Sequence, residues 1–152
     1  MSSKCVKFYA AFSEFAVLSL KLIEKMYEAG ERVLFLCDND EEVQFFDSRL
    51  WNYSRLSFIA HGSKFSLPSE KAEYCQIWIS SNIEFINNPQ TLIHNGYDLE
   101  NEKLKYFDKI IDVFDKTKIE SARKRAELYG VAGFSEQALW IQEDVSWKAE
   151  KL

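Results

Sequence analysis

Several signatures of chemistry are missing from this 152-residue chain. The three cysteines, Cys5, Cys37 and Cys75, are far apart and odd in number, and no Cys-x-x-Cys pair occurs. That spacing argues against a zinc cluster or a thioredoxin-type redox site. Neither of the glycine-rich phosphate-loop patterns is present. The segment Ala10 to Glu14, where such a loop would sit, contains no glycine, and Glu14 would repel a phosphate. With a net charge of −5 the chain also lacks the basic surplus of a wholesale duplex binder. No apolar run approaches a membrane span, and no long apolar segment follows Lys4. A cytoplasmic location with reduced thiols, and no membrane contact, is therefore expected. The two histidines, His61 and His94, recur at no ligand spacing, so no metal or cofactor is expected. A nucleophilic pair of Cys75 with either histidine has no local support.

What the chain does contain is apolar material, 47% hydrophobic and 15% aromatic, enough to build one compact domain. Cys5 to Phe12 reads as a strand. A helix follows from about Glu14 to Ala29, capped by Ser13, with Phe15, Leu18, Leu22 and Met26 at helical spacing and Gly30 as its stop. Arg32 to Cys37 is a nearly unbroken apolar run, the mark of a strand covered on both faces. Asp38, Asn39 and Asp40 offer caps for a second helix, about Glu41 to Leu50. Strand, helix, strand, helix is the opening of an α/β domain with a parallel sheet. Further strands are expected at Tyr74–Ile79, Gln90–His94 and Lys109–Phe114, and a helix at Asn101–Phe107. A Thr117/Glu120 capping box is expected to open a last helix, about Lys118 to Tyr129. The arrangement resembles a nucleotide-binding domain without the phosphate loop.

Two stretches point to binding. Trp51, Tyr53, Leu56 and Phe58 crowd a segment of poor periodicity, as ordinary core under a loop or as an exposed docking patch. Arg123, Lys124 and Arg125 put fixed positive charge on the last helix. Tyr129, Val131 and Phe134 follow as an apolar wall, and Gly130 and Gly133 permit a sharp turn. A guanidinium clamps a carboxylate in two-pronged fashion. A peptide ending in an apolar residue with a free carboxylate matches both halves. No catalytic residue is assigned.

The blocks Gly30-Glu-Arg-Val-Leu-Phe-Leu-Cys-Asp38, Leu50-Trp51 with Phe58-Ile-Ala-His61, and Arg123 to Phe134 resemble the chi subunit of bacterial DNA polymerase III. The resemblance implies a three-layer α/β/α domain over residues 1–142, with 143–152 as a C-terminal extension. It implies a non-enzymatic accessory subunit of the nucleoid-associated replisome. Chi-like proteins bind the acidic C-terminal tail of single-stranded-DNA-binding protein and join the clamp loader through the psi subunit. A helicase is a further candidate partner, and nucleic acid would be reached only through partners. On this likeness Arg123 contacts the tail; from the residues themselves, Lys124 and Arg125 are expected to steer the tail, and Phe114, Tyr129, Val131 and Phe134 to shape the pocket. Trp51, Phe58 and His61 face psi or another partner. Glu127 and Gly130 depart from the family pattern, and both remove positive charge near the tail site. The alternatives are a small α/β nucleotide-binding protein or enzyme of unknown substrate, and a direct single-strand binder.

Overall fold

The structure, a computed structural model, describes residues 4–12, 15–52, 59–143 and 146–150. It is an α/β domain of the three-layer α/β/α class, and among the described residues eight strands lie in one mostly parallel sheet in the order β3 (His61–Gly62), β4 (Ile77–Ser80), β2 (Val33–Leu36), β5 (Thr91–His94), β6 (Lys109–Asp115), β1 (Cys5–Ala11), β7 (Glu136–Glu143), β8 (Ser146–Glu150). The chain divides into two compact units, one made of residues 1–15 and 94–152, the other of residues 16–93.

In the first unit β1 (Cys5–Ala11) lies between β6 (Lys109–Asp115) and β7 (Glu136–Glu143), parallel to both. Alternation places Val6, Phe8 and Ala10 in the core. Helix α3 (Ile119–Val131) buries Ala122, Arg125 and Tyr129. The expected capping box does not form. Asp115 accepts from the backbone N–H of Thr117 (2.9 Å) and from its hydroxyl (2.8 Å), starting a 3-10 turn (Lys116–Lys118) ahead of the helix, while Glu120 pairs with Arg123. At the other end Gly133 (φ +103°) makes the reversal, with Phe134 N–H donating to the Tyr129 carbonyl (3.0 Å) and Gly133 N–H to that of Gly130 (3.1 Å). This is a Schellman stop, and it drives Phe134 back against Tyr129, ring centroids 6.4 Å apart. Gly130 is ordinary helix and makes no turn. β7 pairs antiparallel with β8 (Ser146–Glu150). The run read as an extension thus contributes a strand.

In the second unit α1 (Phe15–Glu28) buries Leu22, Ile23 and Met26, with Ser19 and Leu20 in place of the expected Phe15 and Leu18. Gly30 (φ +78°) stops it as expected. β2 (Val33–Leu36) is buried throughout and runs parallel to β4 (Ile77–Ser80). Asn39 caps α2 (Asp40–Asn52), its side-chain oxygen accepting from Glu42 N–H at 3.0 Å. β3 is only His61–Gly62, and β5 is Thr91–His94. The expected strand at Tyr74 starts later, because Ser69–Tyr74 is a 3-10 helix, as is Asn101–Tyr106. Gln76 explains the delay: its amide donates to the carbonyls of Tyr27 (2.8 Å) and Glu31 (2.9 Å), fixing the chain where the strand begins. Ser13, Glu14, Tyr53, Leu56 and Phe58 lie outside the described residues.

Candidate protein-interaction site

Helix α3 has two chemically different faces. Lys124, Leu128 and Val131 are spaced i, i+4, i+7 and share the outer one. Lys124 is exposed, Leu128 is 42% exposed and Val131 79%. Arg123 and Glu127 form the neighbouring exposed row. The Arg123 guanidinium, half exposed, reaches Glu120 at 2.5 Å. An ion pair so open to water contributes little and yields readily to a competing carboxylate. Leu128, absent from the sequence-derived set, was legible as the residue four after Lys124 and three before Val131.

The inner face is a closed network. Arg125 is 3% exposed and donates to both oxygens of Asp112 on β6, Nε at 2.8 Å and Nη2 at 3.2 Å. It therefore stands apart from Arg123 and Lys124 as a charge spent inside the domain. Tyr129 donates its hydroxyl to Asp112 (2.8 Å) and receives from His94 Nε2 (2.7 Å). His94 Nδ1 accepts from Tyr97 N–H at 3.1 Å. An Nδ1 that accepts leaves the single ring proton on Nε2, so His94 is neutral. Burial, then the Asp112 carboxylate, pushes the Tyr129 phenol well above its ordinary range, which keeps the donated proton in place. Phe114, Tyr129 and Phe134 are all at least 98% buried. They underlie the outer face rather than line it, whereas Val131 stands out from it.

Burial, the largest influence, holds His94 below its ordinary 6.5, while Asp112 and Asp98 pull it up and Arg125 pulls it down. A histidine lowered on folding stabilises fully above about pH 6.5, and that stability is lost as pH falls through this value. His94→Gln keeps a donor near the Nε2 position. It should reduce the drop in urea midpoint between about pH 7.5 and about pH 5.5, and an unaltered drop would show that His94 does not titrate on unfolding.

The expected partner face lies in the second unit. Trp51, at the end of α2, is 50% exposed, and its ring lies over His61, centroids 4.5 Å apart. His61 is 3% exposed and so supports that surface from beneath. Phe58 is outside the described residues. Cys75 bonds to neither histidine: its thiol, pushed up by burial, faces the Lys71 carbonyl at 4.0 Å. A cleft of about 110 Å³ opens near the end of β4 between Trp78, Ser80, Lys64 and Glu84. Its lysine is already paired with Asp40 (3.0 Å), which leaves little charge for a phosphate. Among the described residues, no cluster of His, Cys, Asp or Glu is placed to hold a metal ion, and no helix is long and apolar enough to cross a membrane.

The profile of the family described as DNA polymerase III chi subunit, HolC, matches residues 4–137. That span includes β1 through β6 and α3 and ends at the start of β7. A curated relative from Rickettsia prowazekii (strain Madrid E), described as "Probable DNA polymerase III subunit chi", is 32% identical over 102 residues, 63% of this chain and 60% of that protein. With most of its length matched in one continuous span, this chain belongs to the DNA polymerase III chi subunit family.

Proposed function

We propose that this chain is a non-catalytic replisome accessory subunit that links the polymerase III clamp loader to single-stranded-DNA-binding protein by holding that protein's acidic C-terminal tail. The observation that carries the reading is the outer face of α3, where the Arg123 guanidinium and Lys124 stand beside exposed Leu128 and Val131. A tail with acidic residues and an apolar end finds both a charge and a greasy strip there. The Asp112–Arg125–Tyr129 network beneath holds the helix rigid, so little ordering is required on binding. The Trp51 face serves psi or another clamp-loader component, and a helicase is a further candidate. DNA is reached through the partners, in the cytoplasm at the nucleoid.

Isothermal calorimetry with a synthetic acidic peptide ending in an apolar residue tests the reading. Arg123→Glu should weaken binding roughly five- to thirtyfold, since an exposed ion pair contributes up to about 1 kcal/mol and the reversed charge adds repulsion of similar size. Unchanged affinity would remove Arg123 from the site.

A further inference from the structure

The Asp47–His61 pair in the second unit is built differently from the His94 network. Both nitrogens of the His61 ring face oxygens that have no proton to give. Nδ1 lies 2.8 Å from the Ile59 carbonyl. Nε2 lies 3.0 Å from the Asp47 carbonyl and 3.1 Å from Asp47 Oδ1. A neutral imidazole carries one N–H and would leave a lone pair pressed against an oxygen, whereas the imidazolium donates from both positions. Asp47 makes the same demand. Its side chain is 7% exposed; Oδ2 accepts from Ser63 (2.7 Å), but Oδ1 is buried without an aligned hydrogen bond. A buried carboxylate oxygen in that state needs a cation. Among the described residues, the nearest basic residues in sequence are engaged elsewhere, Arg49 over the Phe45 ring at 4.9 Å and Lys64 on Asp40 at 3.0 Å. Among the described residues, His61, with Nε2 3.1 Å from Oδ1, is the counter-ion in reach.

Above this ring lies the Trp51 indole, tilted 53° and half exposed. An imidazolium under an indole attracts it by cation–π interaction; a neutral ring does so far less. We propose that His61, charged and clamped between Asp47 and two backbone carbonyls, is a removable pin that fixes the exposed Trp51 indole, so that a proton controls the shape of this docking face. Only the docking consequence rests on the partner role proposed above; the charge on the ring does not.

The sign follows from the surroundings. Burial alone lowers His61, but the bonds to Asp47 and to the Ile59 and Asp47 carbonyls outweigh it and hold the ring above its ordinary 6.5. Burial likewise raises Asp47, but His61, Ser63 and Ser66 hold it below 3.8. Among the described residues the third titratable group close by is Cys75, a neutral thiol raised by burial and by Asp47 and lowered by Arg32. The pair is therefore intact between the two displaced values and is lost as pH rises through that of His61. The backbone around it has little slack: a Cβ on Gly62 would fall 2.7 Å from Leu67 Cδ1 and 3.2 Å from Cys75 Sγ.

The chain has two histidines, so ¹⁵N imidazole NMR resolves both. At about pH 7 His61 should show two protonated nitrogens and His94 one. On alkaline titration the Trp51 indole N–H signal should move with the same midpoint as His61, and in His61→Gln that movement should vanish. Asp47→Asn should lower the His61 midpoint, which also serves if His61→Gln fails to fold. A bare His61 nitrogen at about pH 7, an indole signal indifferent to His61, or a midpoint unmoved by Asp47→Asn would each overturn the proposal. Loss of the docking role alone would leave the nitrogen signals as described, so the two failures are distinguishable.

Discussion

Asp112→Ala should lower the unfolding free energy by about 3–5 kcal/mol, the usual cost of removing one partner from a buried ion pair. Arg125, 3% exposed, would keep its charge with only the solvent-exposed Asp98 carboxylate, 3.9 Å away, across from it, and the Tyr129 hydroxyl would lose its acceptor. Both are desolvated polar groups that a cavity the size of a carboxylate does not rehydrate. The effect should be strongly non-additive. Replacing Asp112 and Arg125 together by apolar residues of matching volume should recover much of the loss, because the orphaned cation is then gone. Urea unfolding of the single and double variants measures this. Equal losses in both would mean that packing, not the unpaired charge, sets the cost.

Phe134→Ala should cost about 3–5 kcal/mol, as expected for emptying a fully buried aromatic site. Its ring is 0% exposed, packs on Tyr129 and lies 5.3 Å from the Lys4 ammonium, so truncation opens a hole under the turn that ends α3. Val131→Ala, three residues earlier at 79% exposure, should leave the unfolding free energy within about 0.5 kcal/mol of wild type. The two should separate in peptide calorimetry as well. Val131→Ala should lose affinity with stability intact; Phe134→Ala, measured cold where it remains folded, should lose stability far more than affinity. The reverse pattern would place the apolar half of the tail site beneath the helix instead of on it.

The part of the fold written in the sequence is the part made of strong periodicity. The Arg32–Cys37 run, the stripe of α1 and the Lys109–Phe114 run gave strands and helices within a few residues of their observed bounds. The antiparallel pair β7–β8 did not show itself. Its one trace is the short apolar run Ala138-Leu139-Trp140-Ile141, of which the strand buries only Leu139. The candidate site was half legible. Arg123 and Lys124 read as surface charge because they are surface charge. Arg125 looked identical in sequence, since its partner lies thirteen residues away on another element. The signal was Asp112 itself: a lone carboxylate inside Ile-Ile-Asp-Val-Phe requires a buried cation. The Asp47–His61 pair left no comparable trace, because both residues sit at positions that an exposed helix face or loop would also accept.

The two outermost strands of the sheet share a property with consequences for a protein that works in a crowded assembly. β3 is two residues long, and β8 carries Lys148 and Glu150, joined at 3.5 Å. Neither border offers the long, flat, uncharged row of free peptide groups on which a second copy would build a continuous ribbon. Copies brought close together at high local concentration should therefore remain discrete bodies, held to their neighbours by side chains and not fused to one another through their backbones.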